Sequence, residues 1–287
     1  MQNKIVLITG ATGGIGKQTA LALAKMGAQV VITGRSKLSG EAAVAEIKQQ
    51  SGNPKIDLLI GDLSAQINVR SLAEQFKVKF DRLDVLINNA GLTSSKKELT
   101  ADGIESNFAV NVVAPFLLTH LLMDSLKASS SARVINLMGG DVPAKLDMDN
   151  LQSEHSFDGL NTYSQTKLAM MAVMYEFSQR EKGVTINVCY PGQASTNMTR
   201  SVTPDMFPRA MRFIFPLYKF MTRADGDKSA AKASRSSVYL ASSAEVEGVS
   251  GKYFDVNSKM AAWPAAVLNT VTRERLWSTV EQLSRLK

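Results

Sequence analysis

The chain has 287 residues, of which 45% are hydrophobic and 21% are charged, a composition typical of a globular protein long enough for one large core. The formal net charge is +7, but the 33 basic residues are scattered, which argues against a nucleic-acid partner. Because the first apolar run is too short to cross a bilayer and the single cysteine excludes an intrachain disulfide, we predict a cytoplasmic protein folded as one domain over residues 1–287.

Short β-branched runs alternate along the chain with longer segments of helical periodicity. This alternation predicts an α/β fold, a Rossmann-type doubly wound parallel sheet of about seven strands flanked by helices. The predicted strands are 4–8, 29–33, 55–60, 83–87, 133–137, 185–190 and 252–255. The predicted helices are 15–26, 40–50, 65–77, 103–127, 162–182 and 227–241.

The glycine run TGATGGIG lies between the first predicted strand and the first predicted helix, a context that favours dinucleotide binding. In this reading Gly10 permits a tight turn, Gly14 the approach of a pyrophosphate, and Gly16 the packing of helix on strand. Thr12 belongs to the same loop, and the helix starting near Ile15 directs its dipole at the phosphates. The alternative is a helix-capping turn that binds nothing.

Arg35 follows the second predicted strand, in VVITGRSK, where NAD-binding proteins carry an acidic residue for the ribose 2'-hydroxyl. A guanidinium binds a 2'-phosphate through charge-assisted hydrogen bonds, with Ser36 and Lys37 nearby, so we expect NADP(H) in preference to NAD(H). The alternative is a solvated basic turn.

Tyr163 and Lys167 lie four residues apart in YSQTK, so both side chains project from one face of a helix. A phenol, whose pKa is normally about 10, can act as general acid/base once a neighbouring ammonium stabilises its phenolate. On its own this spacing is more typical of a solvated helix face. The glycine motif upstream makes the pair a candidate catalytic centre.

Several separated motifs make the chain resemble the short-chain dehydrogenase/reductase family over about residues 4–257. In order along the chain they are TGATGGIG, GDLS, NNAG, Asn111, YSQTK and PGQAST. Phrases such as DVLINNAG and VNVVAPFLLTHLLMDSLK resemble its retinol-dehydrogenase-like branch. Those relatives typically convert apolar alcohols and carbonyls with NADP, and many pair their two long helices into homodimers, although others are monomers.

The resemblance implies roles for further residues. Asp62 and Leu63 would flank the adenine, Thr196 would reach the nicotinamide carboxamide, and Asn111 would bend a helix and hold a water that links Lys167 to solvent. The remaining cofactor-binding positions implied by the motifs are Asn89, Ala90, Gly91, Pro191 and Gly192. Two alternatives stay open, because Asp62 also suits a turn and Asn111 also suits a polar group bonded to backbone.

The family's serine beside the catalytic tyrosine is absent. Alignment of RVINLMGGD with the family pattern places Gly139 at that position, and loss of one such donor can cost about two to three orders of magnitude in turnover. Three explanations remain open: the substrate supplies its own polar group, redox chemistry has been abandoned, or a neighbouring hydroxyl substitutes. The candidate hydroxyls are Thr93, Ser94 and Ser164.

A substrate lid is predicted at about 197–226, where the resembling family is variable and this chain is rich in apolar and basic residues. Its apolar side chains could line a pocket, form a partner surface or pack in the core: Phe207, Met211, Phe213, Phe215, Leu217 and Phe220. Its prolines, predicted to divide it into short helices, are Pro204, Pro208 and Pro216. A further alternative is contact with an anionic membrane, because basic residues accompany the aromatics: Arg209, Arg212, Lys219 and Arg223.

The remaining segments predict less chemistry. The polar loop before Tyr163 suits one wall of a substrate pocket, and His155 within it is expected to be exposed. A helical extension at about 262–287, with Val271 and Leu276 at helical spacing, is expected to close over the active-site side or to mediate oligomer contact. The two histidines and one cysteine form no ligand cluster, so no metal site is predicted.

These features predict an NADP-dependent oxidoreductase that interconverts a carbonyl and an alcohol on an apolar, lipid-like small molecule, with a role in biosynthesis. The first alternative is an enzyme of this fold that uses Tyr163 for non-redox proton transfer, such as cyclisation, elimination or isomerisation. The second is a catalytically silent nucleotide-binding protein. Gly139 supports the first alternative, and the retained Tyr163 and Lys167 argue against the second.

Overall fold

The computed structural model describes residues 1–207, 209–221 and 226–286, and an eight-stranded sheet lies at the centre of this part of the chain. In chain order the strands are β1 (Ile5–Ile8), β2 (Gln29–Gly34), β3 (Ile56–Ile60), β4 (Val85–Asn88), β5 (Arg133–Leu137), β6 (Thr185–Cys189), β7 (Tyr253–Phe254) and β8 (Met260–Ala261). The order across the sheet is β3-β2-β1-β4-β5-β6-β7-β8, and only β7 and β8 pair antiparallel. The strand order reverses between β1 and β4, which is where doubly wound sheets bind ligands.

Both faces of the sheet are buried, as the apolar strands predict. Along β1, Leu7 packs into one core, whereas Val6 and Ile8 pack into a second core on the other face. The Rossmann-type parallel sheet is therefore confirmed. The sequence did not predict β8, because this two-residue strand only folds back after a turn in which Asp255 accepts hydrogen bonds from the backbone of residues 257 and 259.

Helices cover both faces. The longer ones are α1 (Gly14–Lys25), α2 (Lys37–Ser51), α3 (Gln66–Lys79), α5 (Ala114–Leu121), α7 (Gly159–Arg180), α10 (Gly226–Ala233), α11 (Arg235–Ser242) and α13 (Thr270–Leu283). The shorter ones are α4 (Ser106–Phe108), α6 (Met123–Lys127), α8 (Asn197–Arg200), α9 (Phe215–Met221) and α12 (Ala265–Leu268). Short 3-10 turns cover Pro204–Met206, Arg209–Ile214 and Ala244–Val246. None of the helices within the described ranges has the length and apolarity needed to span a membrane.

The prediction of one helix over 103–127 is wrong. The helix begins only at Ser106, where the Glu105 carboxylate accepts hydrogen bonds from the backbone N–H groups of the first turn. It then widens into a π-helical turn, Ala109–Val113, before continuing as α5 and α6. Pro115 has no N–H to bond the carbonyl of Asn111 four residues earlier, so a regular α-helix cannot pass through this point. Such π-turns frequently occur at functional sites.

The helix predicted over 227–241 is likewise divided, into α10 and α11, with Ser234 between them. The Ser234 hydroxyl donates a hydrogen bond to the carbonyl of Ala231 at 2.9 Å. The single cysteine, Cys189, is buried in β6, and burial raises its pKa to about 12.

The C-terminal helix α13 packs on α7 through Leu276, Trp277 and Val280, which are buried. Trp277 meets Phe116 of α5 and Phe177 of α7 edge to face, with ring centroids 4.9 and 5.3 Å apart. Phe177 lies fourteen residues beyond Tyr163, or roughly 21 Å along the helix, so this aromatic contact is far from Tyr163. Closure of the extension over the active-site side stays a prediction.

The same packing corrects the prediction for Val271. It was expected on the apolar face of the C-terminal helix, but it is 77% exposed, because it precedes the turns that face α7. Where Trp277 packs between them, α13 of the same chain covers part of the two long helices that the resemblance assigned to dimer contact, and the homodimer stays a prediction.

Candidate active site

The glycine run forms a cradle at the carboxyl end of β1. Gly10 and Gly14 have φ values of +64° and +55°, which L side chains rarely adopt. A Cβ on Gly10 would lie 3.0 Å from the Cα of Ala90, and a Cβ on Gly16 would overlap the side chain of Asn89. Glycine is therefore required here by backbone conformation and by close packing, as the sequence predicted.

The start of α1 fits an anionic group. No side chain caps this helix, whose N-cap is Gly13, and no acidic residue stands in its first turn. The positive end of its dipole is consequently uncompensated by the protein, which is the arrangement that binds phosphate. Thr12 packs over Gly34 at the end of β2, and Ile15 packs partly buried against the core on this face of the sheet.

The NNAG motif ties β4 to this loop through Thr9, a residue that sequence reasoning did not single out. The Thr9 hydroxyl accepts hydrogen bonds from the backbone N–H of Asn89 (3.1 Å) and of Ala90 (3.0 Å). In return the Asn89 amide donates to the Thr9 carbonyl at 2.8 Å. The loops after two adjacent strands thus form one rigid wall.

Arg35 lies directly after β2 and is exposed. Its guanidinium makes no hydrogen bond or ion pair with any residue in the described ranges that would hold it away from a ligand. Ser36 is the N-cap of α2, with its hydroxyl accepting from the backbone N–H of Ser39 at 3.4 Å. The Arg35 guanidinium and the N-terminus of α2 therefore lie next to each other after β2.

Asp62 and Leu63 follow β3, the next strand in the sheet. An oxygen of the Asp62 carboxylate accepts a hydrogen bond from the backbone N–H of Ser64 at 2.9 Å, so the turn role that the sequence left open is present. Leu63 is partly buried against the core.

Tyr163 and Lys167 both point inward from α7 and are buried. The Lys167 ammonium lies 5.9 Å from the centre of the Tyr163 ring and donates a hydrogen bond to the Leu137 carbonyl at 3.0 Å. Burial lowers the pKa of Lys167 to about 8. Burial also raises the pKa of Tyr163 well above its usual range, with Tyr190 and Tyr218 contributing as further ionisable neighbours.

Asn111 lies in the π-helical turn and holds the backbone after NNAG. Its amide nitrogen donates to the Leu92 carbonyl (2.8 Å) and to the Thr166 hydroxyl (2.9 Å), and its oxygen accepts from the Leu92 N–H (2.8 Å). A Cβ on Gly91 would lie 3.5 Å from the Asn111 oxygen and 3.6 Å from the Lys167 ammonium. The structure thus brings together residues from three separate motifs.

Gly139 and Gly140 follow β5 and lie against the phenol. A Cβ on Gly139 would overlap the Tyr163 hydroxyl, and one on Gly140 would lie 2.9 Å from the Tyr163 ring and 3.1 Å from the Ser164 hydroxyl. The space that a serine side chain would take at position 139 is therefore filled by the tyrosine oxygen itself.

The neighbouring hydroxyls differ in their freedom to replace the serine. Ser94 is engaged, since its hydroxyl donates to the Lys96 carbonyl at 2.8 Å. Ser164 lies beside Gly140, and the Thr93 hydroxyl oxygen is buried without a hydrogen-bond partner among the described residues.

PGQAST follows β6 and reaches back to the glycine cradle. Pro191 is buried and Gly192 has a φ of +80°. The Thr196 methyl lies 3.1 Å from the position of a Cβ on Gly14, while its hydroxyl accepts from the Thr199 N–H at 3.3 Å. Thr196 therefore starts α8 at the edge of the cradle.

The segment after PGQAST covers the first turn of α7. Its inward side chains form a small apolar cluster with Leu160, and its members are Val202, Met206, Phe207, Ile214, Phe215 and Tyr218. Phe213, Leu217 and Phe220 point outward instead and are exposed. Pro208 and Arg223 lie outside the described residues, as do the side chains of Arg209 and Met211.

Two other features lie apart from this site. His155 is exposed in the loop before α7, as expected. A cavity of about 690 Å³ opens at the amino ends of β5 and β6, lined by Arg133 and Thr185 among others. It is on the opposite edge of the sheet from Tyr163, so it is not the candidate active site.

The fold and the site define a class of protein: a doubly wound dinucleotide-binding fold with a buried tyrosine and lysine beside the glycine cradle. The sequence profile of the short chain dehydrogenase family matches residues 4–206. The chain belongs to this family, whose members use NAD(P), and is an oxidoreductase of its retinol-dehydrogenase-like branch.

Among curated relatives, retinol dehydrogenase 13 of Mus musculus is 36% identical over 284 residues, which cover 98% of this chain and 83% of the relative. Polyprenol dehydrogenase of Homo sapiens is 33% identical over 285 residues, covering 96% and 83%. A crystal structure of an uncharacterized protein from Mycobacterium Paratuberculosis matches with a TM-score of 0.76 at 23% identity, covering 99% and 94%. A short chain dehydrogenase from Escherichia coli CFT073 complexed with NADPH matches with a TM-score of 0.65 at 22% identity, covering 89% and 97%. These structural matches support the fold.

Proposed function

We propose that the protein interconverts a carbonyl and an alcohol on an apolar small molecule, with NADP(H) as cofactor and Tyr163 as general acid/base. The observation that carries the proposal is the buried pair of Tyr163 and Lys167, which stands at the carboxyl edge of the sheet next to a glycine cradle without a side-chain cap. The apolar substrate class is supported by the relatives named retinol dehydrogenase and polyprenol dehydrogenase.

Tyr163 handles the proton in this proposal. A nicotinamide cofactor, when bound, supplies or accepts the hydride. The phenol, whose pKa is normally about 10 and is raised further by burial, is protonated at neutral pH and can donate to a carbonyl oxygen as negative charge develops there. Because a raised pKa makes the phenol a weaker acid, this donation depends on a group that stabilises the phenolate. Lys167, held by the Leu137 carbonyl, stabilises the phenolate that remains. Asn111 acts on the backbone, where it fixes Leu92 and the adjoining Gly91 beside the ammonium.

The preference for NADP(H) rests on Arg35. This guanidinium is exposed beside the N-terminus of α2, and both features favour an added phosphate. The cradle itself would hold the pyrophosphate, through Gly10, Thr12, Gly14, Ile15 and Gly16. The loops after β3, β4 and β6 would complete the cofactor site, through Asp62, Leu63, Asn89, Ala90, Gly91, Pro191, Gly192 and Thr196.

Residues 197–226 would act as a lid of the single domain, since their inward cluster packs on the first turn of α7, one turn before Tyr163. Residues 262–287 would form an extension that stabilises α7 through α13.

Gly139 is consistent with redox chemistry in which the Tyr163 hydroxyl occupies the space of the absent serine side chain and donates the proton from there. The second candidate function, non-redox proton transfer by Tyr163, is favoured by the same glycine, because position 139 offers a developing oxyanion no side-chain donor. A silent nucleotide-binding protein would not need a buried lysine beside a buried phenol.

The absorbance of NADPH, followed during conversion of a substrate, distinguishes the redox enzyme from the two alternative functions. We expect the purified protein to oxidise NADPH in the presence of retinal or long-chain aldehydes, and to do so faster than with short-chain aldehydes. Conversion of substrate without a change at the nicotinamide absorbance would support proton transfer instead, and cofactor binding without conversion would support the silent protein.

The cofactor preference has its own measurement. We expect Arg35→Ala to weaken NADPH binding about tenfold or more and to leave NADH binding almost unchanged, since it removes a charge-assisted hydrogen bond to one phosphate. The exposed Arg235→Ala is the control. An unchanged ratio of the two affinities would remove Arg35 from the proposal.

A further inference from the structure

The outward face of the lid segment carries a row of large apolar side chains. Phe213 is 80% exposed, Leu217 is 60% exposed and Phe220 is 73% exposed. They are four and three residues apart, the spacing that aligns side chains along one side of a helical segment. We call these three residues the outer row.

The outer row is not needed to hold the lid in place. Packing onto the rest of the protein uses the opposite side of the same segment, where Ile214, Phe215 and Tyr218 join the cluster with Phe207. The segment is therefore apolar on both sides. Exposed apolar surface of this kind, rimmed by charge, marks contact with a protein or a membrane.

The charges around the outer row are mostly basic. Between residues 197 and 221 the sequence has one acidic residue, Asp205, and its basic residues are Arg200, Arg209, Arg212 and Lys219. Arg212 is exposed next to Phe213. Lys219 lies between Leu217 and Phe220 in sequence, with its ammonium donating to the Arg200 carbonyl at 3.1 Å. The whole chain adds a net charge of +7, so the surface is complementary to an anionic partner.

We propose that the outer row docks on an anionic phospholipid surface. Phe213, Leu217 and Phe220 enter the boundary between headgroups and acyl chains, while the exposed Arg212 beside them meets the anionic headgroups. Phenylalanine and leucine on one side with arginine and lysine at the edges is the composition of helices that lie in this boundary. A second copy of the chain is disfavoured as the occupant, because two such surfaces would bring like charges together.

Docking in this way would also orient the active site. The opposite side of the lid segment packs on Leu160, one turn before Tyr163, and Tyr218 is close enough to influence the pKa of that phenol. A lid held at the membrane would thus open toward a source of apolar substrate. Only this last step rests on the proposed function; docking itself does not.

Sedimentation with vesicles tests the proposal directly. We expect the full chain to pellet with vesicles of phosphatidylcholine containing about a third phosphatidylserine, to bind pure phosphatidylcholine more weakly, and to lose binding as salt is raised. The variant Phe213→Ser/Leu217→Ser/Phe220→Ser should bind at least about tenfold more weakly, since each side chain loses its apolar burial.

A matched control removes three equally exposed apolar side chains elsewhere. Ile67 is 72%, Val78 is 88% and Val271 is 77% exposed, and the variant Ile67→Ser/Val78→Ser/Val271→Ser should bind vesicles like the wild type. NADPH binding should be equal in all three proteins, which separates docking from the proposed catalysis. If the triple lid variant does not fold, Phe213→Ser and Phe220→Ser serve singly.

Three results would overturn the proposal. Wild-type protein that stays in the supernatant with phosphatidylserine vesicles has no such surface. Equal loss of binding in the control variant would make the attraction nonspecific. A wild-type dimer in sedimentation equilibrium that becomes monomeric in the lid variant, without vesicle binding, would assign the outer row to a second copy of the chain.

Discussion

At the scale of single residues, the central relation is between Tyr163 and Gly139. The phenol oxygen stands where a side chain at position 139 would begin, so the glycine and the tyrosine position depend on each other. From the sequence alone, Gly139 indicates that the hydrogen-bond donor of the family's serine has been lost. The structure adds that the Tyr163 hydroxyl occupies the space where that serine side chain would lie.

This relation predicts the effect of adding one methyl group. Gly139→Ala is acceptable to the backbone, whose φ lies outside the left-handed region, but it must displace the Tyr163 hydroxyl. Because misplacement by about 1 Å can cost on the order of a hundredfold, we expect kcat to fall at least tenfold with NADPH affinity preserved. Steady-state kinetics and cofactor titration measure both quantities.

Gly183→Ala is the control, since its new Cβ would meet no atom closer than 3.8 Å. Gly139→Ser should not raise turnover either, for the same steric reason. A gain of ketone or aldehyde reduction in Gly139→Ser would show that the site simply lacks a donor and has room for one.

Lys167 gives the protein a predictable pH dependence of stability. Burial lowers its pKa to about 8, against 10.5 in the unfolded chain, so between these values the unfolded state binds more protons and stability rises with pH. Relative to Lys167→Met, the wild type should therefore gain about 2 kcal/mol in free energy of unfolding from pH 7 to pH 9.5.

Urea unfolding at several pH values measures this difference. Lys252→Met, at a residue exposed on the edge of the sheet, is the matched control and should follow the wild type. A constant gap between wild type and Lys167→Met across this range would mean that the ammonium is not desolvated.

At the scale of elements, the packing of α13 on the outer surface of α7 affects the stability of the site most directly. Trp277 fills the angle between Phe116 and Phe177, and the Arg180 guanidinium covers its ring at 4.4 Å. The C-terminal segment therefore contributes to the stability of the helix that carries Tyr163.

We expect Trp277→Ala to lower the free energy of unfolding by about 3 kcal/mol, because it leaves a cavity among aromatic side chains. Chemical denaturation checks this value. Val271→Ala, on the exposed side of the same helix, should change stability by less than about 0.5 kcal/mol. Similar effects of the two substitutions would contradict the packing of α13 on α7.

The sequence predicted these elements unequally, and the reasons are physical. Buried parallel strands are continuous apolar runs, so β1 to β7 were found near their observed bounds. The resemblance implied a bend at Asn111, but the division of the predicted helix 103–127 was not found, because Pro115 is compatible with a helix start as well as with an interruption, and only packing decides between them. The exposure of Val271 depends on which side of α13 meets α7, which helical spacing alone does not specify.

The candidate site followed the same rule. Motifs with a local chemical meaning, such as the glycine cradle and the pair of Tyr163 and Lys167, could be identified from the sequence. Features that depend on residues meeting in three dimensions could not be identified in this way. They are the hydrogen bonds from the loop after β4 to the Thr9 hydroxyl, the position of the Tyr163 hydroxyl against Gly139 and the outward direction of Phe213.

At the scale of the whole molecule, the order reversal between β1 and β4 gathers the motifs on one edge of the sheet. The cradle after β1, the NNAG loop after β4, the glycine pair after β5 and PGQAST after β6 all lie at carboxyl ends of neighbouring strands. Helix α7 then brings Tyr163 and Lys167 to that edge from the side. The proposed function depends on this convergence.

Tyr163→Phe provides the most direct measurement, because it keeps the ring and its packing and removes only the hydroxyl. We predict that NADPH-dependent reduction of an apolar aldehyde falls by about two to four orders of magnitude, while the dissociation constant for NADPH changes by less than a few-fold. Turnover that persists in Tyr163→Phe would contradict the role of the phenol, and product formed by the wild type without loss of NADPH absorbance would contradict the redox reaction.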